Sequence, residues 1–132
     1  MSKFGYGPVD ANLLLRDIAS GEVGKTTNGT PLAMDFASVG DFKAVVNVAG
    51  INDPTTDTEW ALAIQSDSSS DFSSPVTLWS ESNISAEGVR EVPLSGRFVL
   101  DKDPTAAYLR IVATQTGSGG DLSFGAHLVD VK

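Results

Sequence analysis

The chain has 132 residues, no cysteine, one histidine and a net charge of −8 from 9 basic and 17 acidic residues. That length suits one domain, burying roughly 65–70% of its unfolded surface around a single core. The composition excludes disulfides and thiolate chemistry, makes a zinc site unexpected, and sets the surface against phosphate backbones, so nucleic acid is not an expected partner.

No apolar run approaches 18 residues, so no membrane-spanning helix is expected. Leu13–Leu15 is a short apolar patch without a small-residue cleavage site, so no secretory signal is expected. Between Asp53 and Asp103 ten acids face three bases, interspersed among an ordinary apolar content of 41%. This reads as a folded domain rather than an acidic tail. Abundant Gly, Ser, Thr and Asp around short apolar runs points to an all-β chain.

Residues 1–12 carry Phe4 and Tyr6 in the Gly- and Pro-broken stretch FGYGP and read as an extended arm. Leu13–Ile18 suits a short strand or one helical turn, with Asp10 and Asn12 as caps. Residues 19–30 read as a loop with a turn signal at Asn28-Gly29. Residues 1–30 are thus an N-terminal arm and lead-in strand, and 31–132 a single domain.

Leu32–Phe36 alternates as a strand, Gly40-Asp41 turns the chain, and Phe42, Ala44, Val46 and Val48 alternate against Lys43, Val45, Asn47 and Ala49. A loop over 50–58 leads to Trp60, Leu62 and Ile64, whose period of two marks a central strand. Ser66–Ser74 is a polar loop with one aromatic, Phe72, closed by Pro75 before the apolar Val76–Trp79. Val89–Leu94 reads as a strand, Ser95-Gly96 as a tight connection, and Arg97–Leu100 as the next strand. Asp101–Pro104 turns again. Tyr108–Thr116 is a second central strand, followed by Gly117–Gly120 and the alternating Asp121–Val131, a strong hairpin signal. Eight or nine strands without a convincing helix indicate a β-sandwich or jelly roll.

Chemistry-bearing patterns are sparse. His127 shares a strand face with Ser123 and Gly125 and lacks a GxSxG setting, so it reads as a surface or interface residue. The acid pairs Asp53/Asp57/Glu59, Asp67/Asp71, Glu87/Glu91 and Asp101/Asp103 stand beside turn residues and read as solvated loop acids rather than a glycosidase pair. The Asp67–Asp71 loop offers hard oxygens that suit calcium but lacks EF-hand spacing. Gly24-Lys25-Thr26 resembles a phosphate-loop ending, yet Ala19 stands where the first glycine belongs. No enzyme activity, cofactor or metal is expected.

Aromatics are the stronger lead. Trp60 belongs to the core. Trp79, at a strand end, is a candidate for stacking on a sugar or filling a partner's pocket. Phe72 is either tucked under its loop or an interface anchor, and Phe4 and Tyr6 need another surface to pack on. Ala61, Ala63, Val45, Ala49, Val112, Val129 and Val131 lie out of phase with the core positions. Both sheet faces are therefore rather apolar, and one needs covering by the arm or another chain.

Three features in this order, Leu32–Phe36 with the strand Phe42–Val48, then WALAIQSDSSSDF at 60–72, then Tyr108–Val112 through Gly117–Gly120 to Leu122–Ala126, resemble the jelly-roll cement (decoration) proteins of tailed-bacteriophage capsids. The resemblance covers about residues 30–130. It implies a non-catalytic homotrimer, assembled in the host cytoplasm, that sits on the capsid exterior of the virion and clamps neighbouring capsomers through the major capsid protein. Phe4, Tyr6, Phe72 and Trp79 are the candidate interface residues. The alternative reading is a carbohydrate-binding or host-adhesion module.

Overall fold

The computed structural model describes residues 13–52, 58–117 and 120–130. Within them the strands are β1 (Leu14–Arg16), β2 (Thr27–Asn28), β3 (Leu32–Ala33), β4 (Asp41–Asn52), β5 (Glu59–Asp67), β6 (Val76–Glu81), β7 (Gly88–Ser95), β8 (Tyr108–Thr116) and β9 (Asp121–Asp130). One helix, α1 (Gly96–Lys102), links β7 to β8.

The strands form two antiparallel sheets. The front sheet runs β1-β9-β4-β7, and the back sheet runs β2-β8-β5-β6 with β3 also on β8. The pairs are nested: β5 with β6, β4 with β7, β2 and β3 with β8, β1 with β9. One long antiparallel ribbon, folded so that successive segments enter alternate sheets, is a jelly roll. The expected all-β sandwich is the architecture found.

Alternation explains which side chains meet between the sheets. Phe42, Ala44, Val46 and Val48 of β4 are buried and Trp60, Leu62 and Ile64 of β5 are fully enclosed, while their odd-phase neighbours face outward. Leu109 and Ile111 of β8 and Leu122, Phe124 and Leu128 of β9 complete the core. At the β6/β7 edge the sandwich is closed by charge: the Arg90 Nη2 donates to Glu81 Oε2 at 3.0 Å, joining the front sheet to the back.

Several expectations need correction. Arg97–Leu100 is not a strand but the body of α1. Ser95 is extended, its hydroxyl accepts from the Phe98 N–H at 3.0 Å, and Lys102 occupies the last turn. Four residues are too few to reveal a 3.6 period, so the apolar run alone could not separate helix from strand. Tyr108–Thr116 and Asp121–Asp130 do not form a hairpin. β8 pairs with β5 and β9 with β4, so the Gly117–Gly120 link crosses between sheets, with Gly117 at φ 84° and the Gln115 amide donating to the Gly120 carbonyl at 3.0 Å.

The Leu32–Phe36 strand is shorter than its alternation suggests. Met34 and Phe36 are buried, but Asp35 accepts from the Ala37 N–H and the Ser38 hydroxyl and turns the chain after Ala33. The 19–30 stretch, read as a loop, contains β2. There Gly29 donates to the Ile111 carbonyl at 2.7 Å, and a Cβ on it would lie 2.5 Å from the Leu15 carbonyl oxygen. Leu13 and Leu15 are core residues, so the sandwich takes in residues 13–30 beside the span assigned to the domain.

Candidate functional site

The two outer sheet faces differ, and the difference begins in the 67–75 loop. Its first acid, Asp67, accepts from the N–H groups of Ser74 at 2.9 Å, Ser68 at 2.6 Å and Ser69 at 3.4 Å. Asp71 accepts from the Ser73 N–H at 3.1 Å. These Asx-type contacts wind the loop into a compact hook. The bond from Ser74 is the chief reason the Asp67 carboxyl is held below the usual carboxylate range, and for Asp71 the Ser69 hydroxyl acts first. The loop acids are thus engaged with their own loop. Among the described residues no group of three or more His, Asp or Glu side chains could hold a metal ion.

The hook lays Phe72 on the outer face of the back sheet. Phe72 has φ 50° and is only 5% exposed, and Arg110 of β8 stacks on its ring. Arg110 also donates through Nε to the Gln65 side chain at 3.0 Å on neighbouring β5. Ala61 and Ala63 are half-buried on this face and Val112 is buried. The back sheet is covered in part by its own chain.

The front sheet has less cover. One row of its outer face runs Leu14, His127, Val45, Glu91, and another runs Val129, Lys43, Pro93. Ile18, in the 3-10 turn after β1, folds over Gly125 so closely that a Cβ there would lie 2.9 Å from the Ile18 Cβ. Even so Ile18 is 40% exposed, and Val89 on the edge strand β7 is 62% exposed. Lys43 and Glu91 pair across β4 and β7. Burial pushes the His127 imidazole below its ordinary value, favouring the neutral ring in this apolar setting. At the α1 end of the face Asp41, Phe42, Pro93, Leu94, Ser95 and Phe98 line a cleft of about 330 Å³.

Of the candidate interface residues, Phe4 and Tyr6 lie outside the described residues. Phe72 takes the tucked placement, with little surface left for a partner. Trp79 stands opposite Ile64 on the inner side of β6, half-buried against the core. The structure adds Ile18, Val89 and Phe98, the exposed large apolar residues of the described chain. Ile18 and Phe98 had no legible signal, because each needs its turn or helix before its direction is defined. Val89 opened a recognisable strand, and its outward phase was readable from Val92 and Leu94.

Among the described residues no helix is long and apolar enough to cross a membrane. Comparison with protein-family models, with curated proteins and with solved structures finds no significant match to this chain.

Proposed function

We propose that the chain is a structural virion protein, a trimeric jelly-roll cement on the outside of a tailed-phage capsid that clamps neighbouring capsomers. The observation that supports this reading most is the apolar front face, on which Ile18 and Val89 are exposed. Leu14, Ile18, Val45, Val89 and Val129 lie on one side of a sandwich whose other side is partly closed by its own loop. A free monomer gains nothing from such a face, whereas association buries it.

The mechanism is burial of apolar area at subunit and capsid contacts, with avidity from three copies. Phe4 and Tyr6 add aromatic contacts from the arm. The acidic, cysteine-free composition suits a scaffold that works by shape and packing. The glycan-binding alternative would rest on Trp79, whose ring is committed in part to the core.

Light scattering on a sizing column tests the first step: the reading expects a mass near three times 13.8 kDa. Co-sedimentation with capsids stripped of decoration tests the second, and Val89→Asp should abolish it without unfolding the chain. A stable monomer that ignores capsids would overturn the reading.

A further inference from the structure

We infer that Asn28-Gly29 is a self-modification site held in check by the fold. The pair closes to a succinimide and ages to isoaspartate only when β2 leaves the sandwich, and the aged chain cannot put β2 back. The inference does not rest on the capsid reading.

Asn28-Gly29 is the only Asn-Gly pair in the sequence. A glycine after asparagine leaves its backbone nitrogen unshielded and the main chain free to bring it to the side-chain amide. The reaction is intramolecular. The Gly29 nitrogen, after giving its proton to solvent base, attacks Asn28 Cγ. A C–N bond forms there as the Cγ–Nδ2 bond breaks, and ammonia leaves with a proton from water. Water then opens the ring at either carbonyl, giving an ordinary aspartate or a main chain routed through the side chain, which is isoaspartate.

The folded chain supplies half of what this chemistry needs. Asn28 is exposed and lines a cleft of about 430 Å³ between β1 and β2, so water reaches its amide. The nucleophile is withheld. Gly29 N–H donates to the Ile111 carbonyl of β8 at 2.7 Å, and Thr30 N–H donates to the Leu15 carbonyl of β1 at 3.1 Å. Residues 29 and 30 thereby tie the back sheet to the front. A nitrogen whose hydrogen is engaged in this way neither loses its proton to solvent nor turns toward Asn28 Cγ until the bond opens.

The clamp is shallow. β2 is two residues long at the edge of the back sheet, pairing Thr27 with Ala113 and Asn28 with Val112. The Thr26 hydroxyl accepts one further bond from the Gln115 N–H at 3.0 Å. Edge segments with few bonds open at less cost than global unfolding. Ageing therefore proceeds through openings of β2 in an otherwise folded chain. The product does not fit back. A Cβ on Gly29 would lie 2.5 Å from the Leu15 carbonyl oxygen and 2.8 Å from Ile111 Cγ2, and isoaspartate inserts an extra main-chain carbon just before this crowded position. It also adds a negative charge to a chain already at −8.

Trypsin releases the 26–43 peptide, in which Asn28 is the sole asparagine. Full-length protein is held in mildly alkaline buffer, folded or in urea, and the mass gain and isoaspartate content of that peptide are followed by mass spectrometry. The 26–43 peptide alone, with and without urea, corrects for the denaturant. The folded chain should react at least about tenfold more slowly than the unfolded one. After refolding, isoaspartate should be confined to protease-sensitive chains, while Asn28→Asp, which adds the charge without the extra carbon, refolds as the unaltered protein does. Equal rates in folded and unfolded chains would overturn the inference, as would an unfolded chain that does not age. So would isoaspartate in protease-resistant chains at its overall share, or an equally deep refolding defect in Asn28→Asp.

Discussion

The Arg110 guanidinium lies 4.3 Å from the centroid of the Phe72 ring, and this stack fixes the 67–75 loop to the outer face of the back sheet. A cation on an aromatic face at a partly exposed site contributes about 1 kcal/mol, and burial of the ring contributes more. Phe72→Ala should lower stability by about 2–3 kcal/mol. Phe72→Gly should cost no more than Phe72→Ala, because the backbone at φ 50° is the left-handed conformation that glycine adopts freely. Urea denaturation of the two variants checks this; a markedly less stable glycine variant would show that the backbone there carries no strain.

Gly96 opens α1 against the turn that precedes β4. A Cβ on it would collide with the backbone carbonyl oxygens of Phe36 and Val39, and neither can yield as a side chain could. Gly96→Ala should destabilise by about 3 kcal/mol, whereas Ser95→Ala, which removes only the helix cap, should cost about 1 kcal/mol. Thermal melts rank the two, and the reverse order would place the cap above the packing.

Acid should weaken the fold in two steps. Folded Asp67 and Asp71 bind their protons more weakly than the unfolded chain does, because loop N–H and hydroxyl donors stabilise the carboxylates. Their contribution is complete above about pH 4, the ordinary carboxylate range, and is lost as pH falls through the lower folded values. Half-buried His127 also binds its proton more weakly when folded, so its contribution is complete above about pH 6.5 and is lost below that as the ring is forced to charge. Urea midpoints measured from pH 2 to 8 should rise with pH in both windows. His127→Gln should remove the upper step and Asp67→Asn should flatten the lower one; a wild-type midpoint that rises between pH 7 and 5 would contradict the histidine assignment.

Trp60 is fully enclosed, and its indole N–H has no hydrogen-bond partner. Leaving a buried donor unpaired costs about 1–3 kcal/mol, which offsets part of the ring's packing gain. Trp60→Phe should therefore be mild, within about 1.5 kcal/mol, while Trp60→Ala should cost about 3–5 kcal/mol. Equal losses in the two would mean that the N–H is satisfied in solution.

What alternation could reveal, it did. The period of two in Phe42–Val48, Trp60–Ile64 and Tyr108–Ala113 separated inward from outward side chains, because the direction of a side chain is a local property of each strand, although outward Val112 is also buried. The excess of apolar residues on both faces was equally legible and marked Val45 and Val129. Pairing was not. Asp121–Asp130 follows Tyr108–Thr116 after a glycine-rich link that suits a hairpin, yet β9 enters the other sheet, where it pairs with β4. Phe72 had two readings until Arg110 and the loop's own N–H donors were placed around it. The sequence by itself determined the positions and inward faces of the long strands β4, β5, β8 and β9 and an acidic, cysteine-free composition, all of which depend on neighbours along the chain. Only the tertiary structure decided the nested jelly-roll pairing, the helix at Gly96–Lys102 and the contrast between a partly covered back face and a less covered front one, because each depends on contacts between residues distant in sequence.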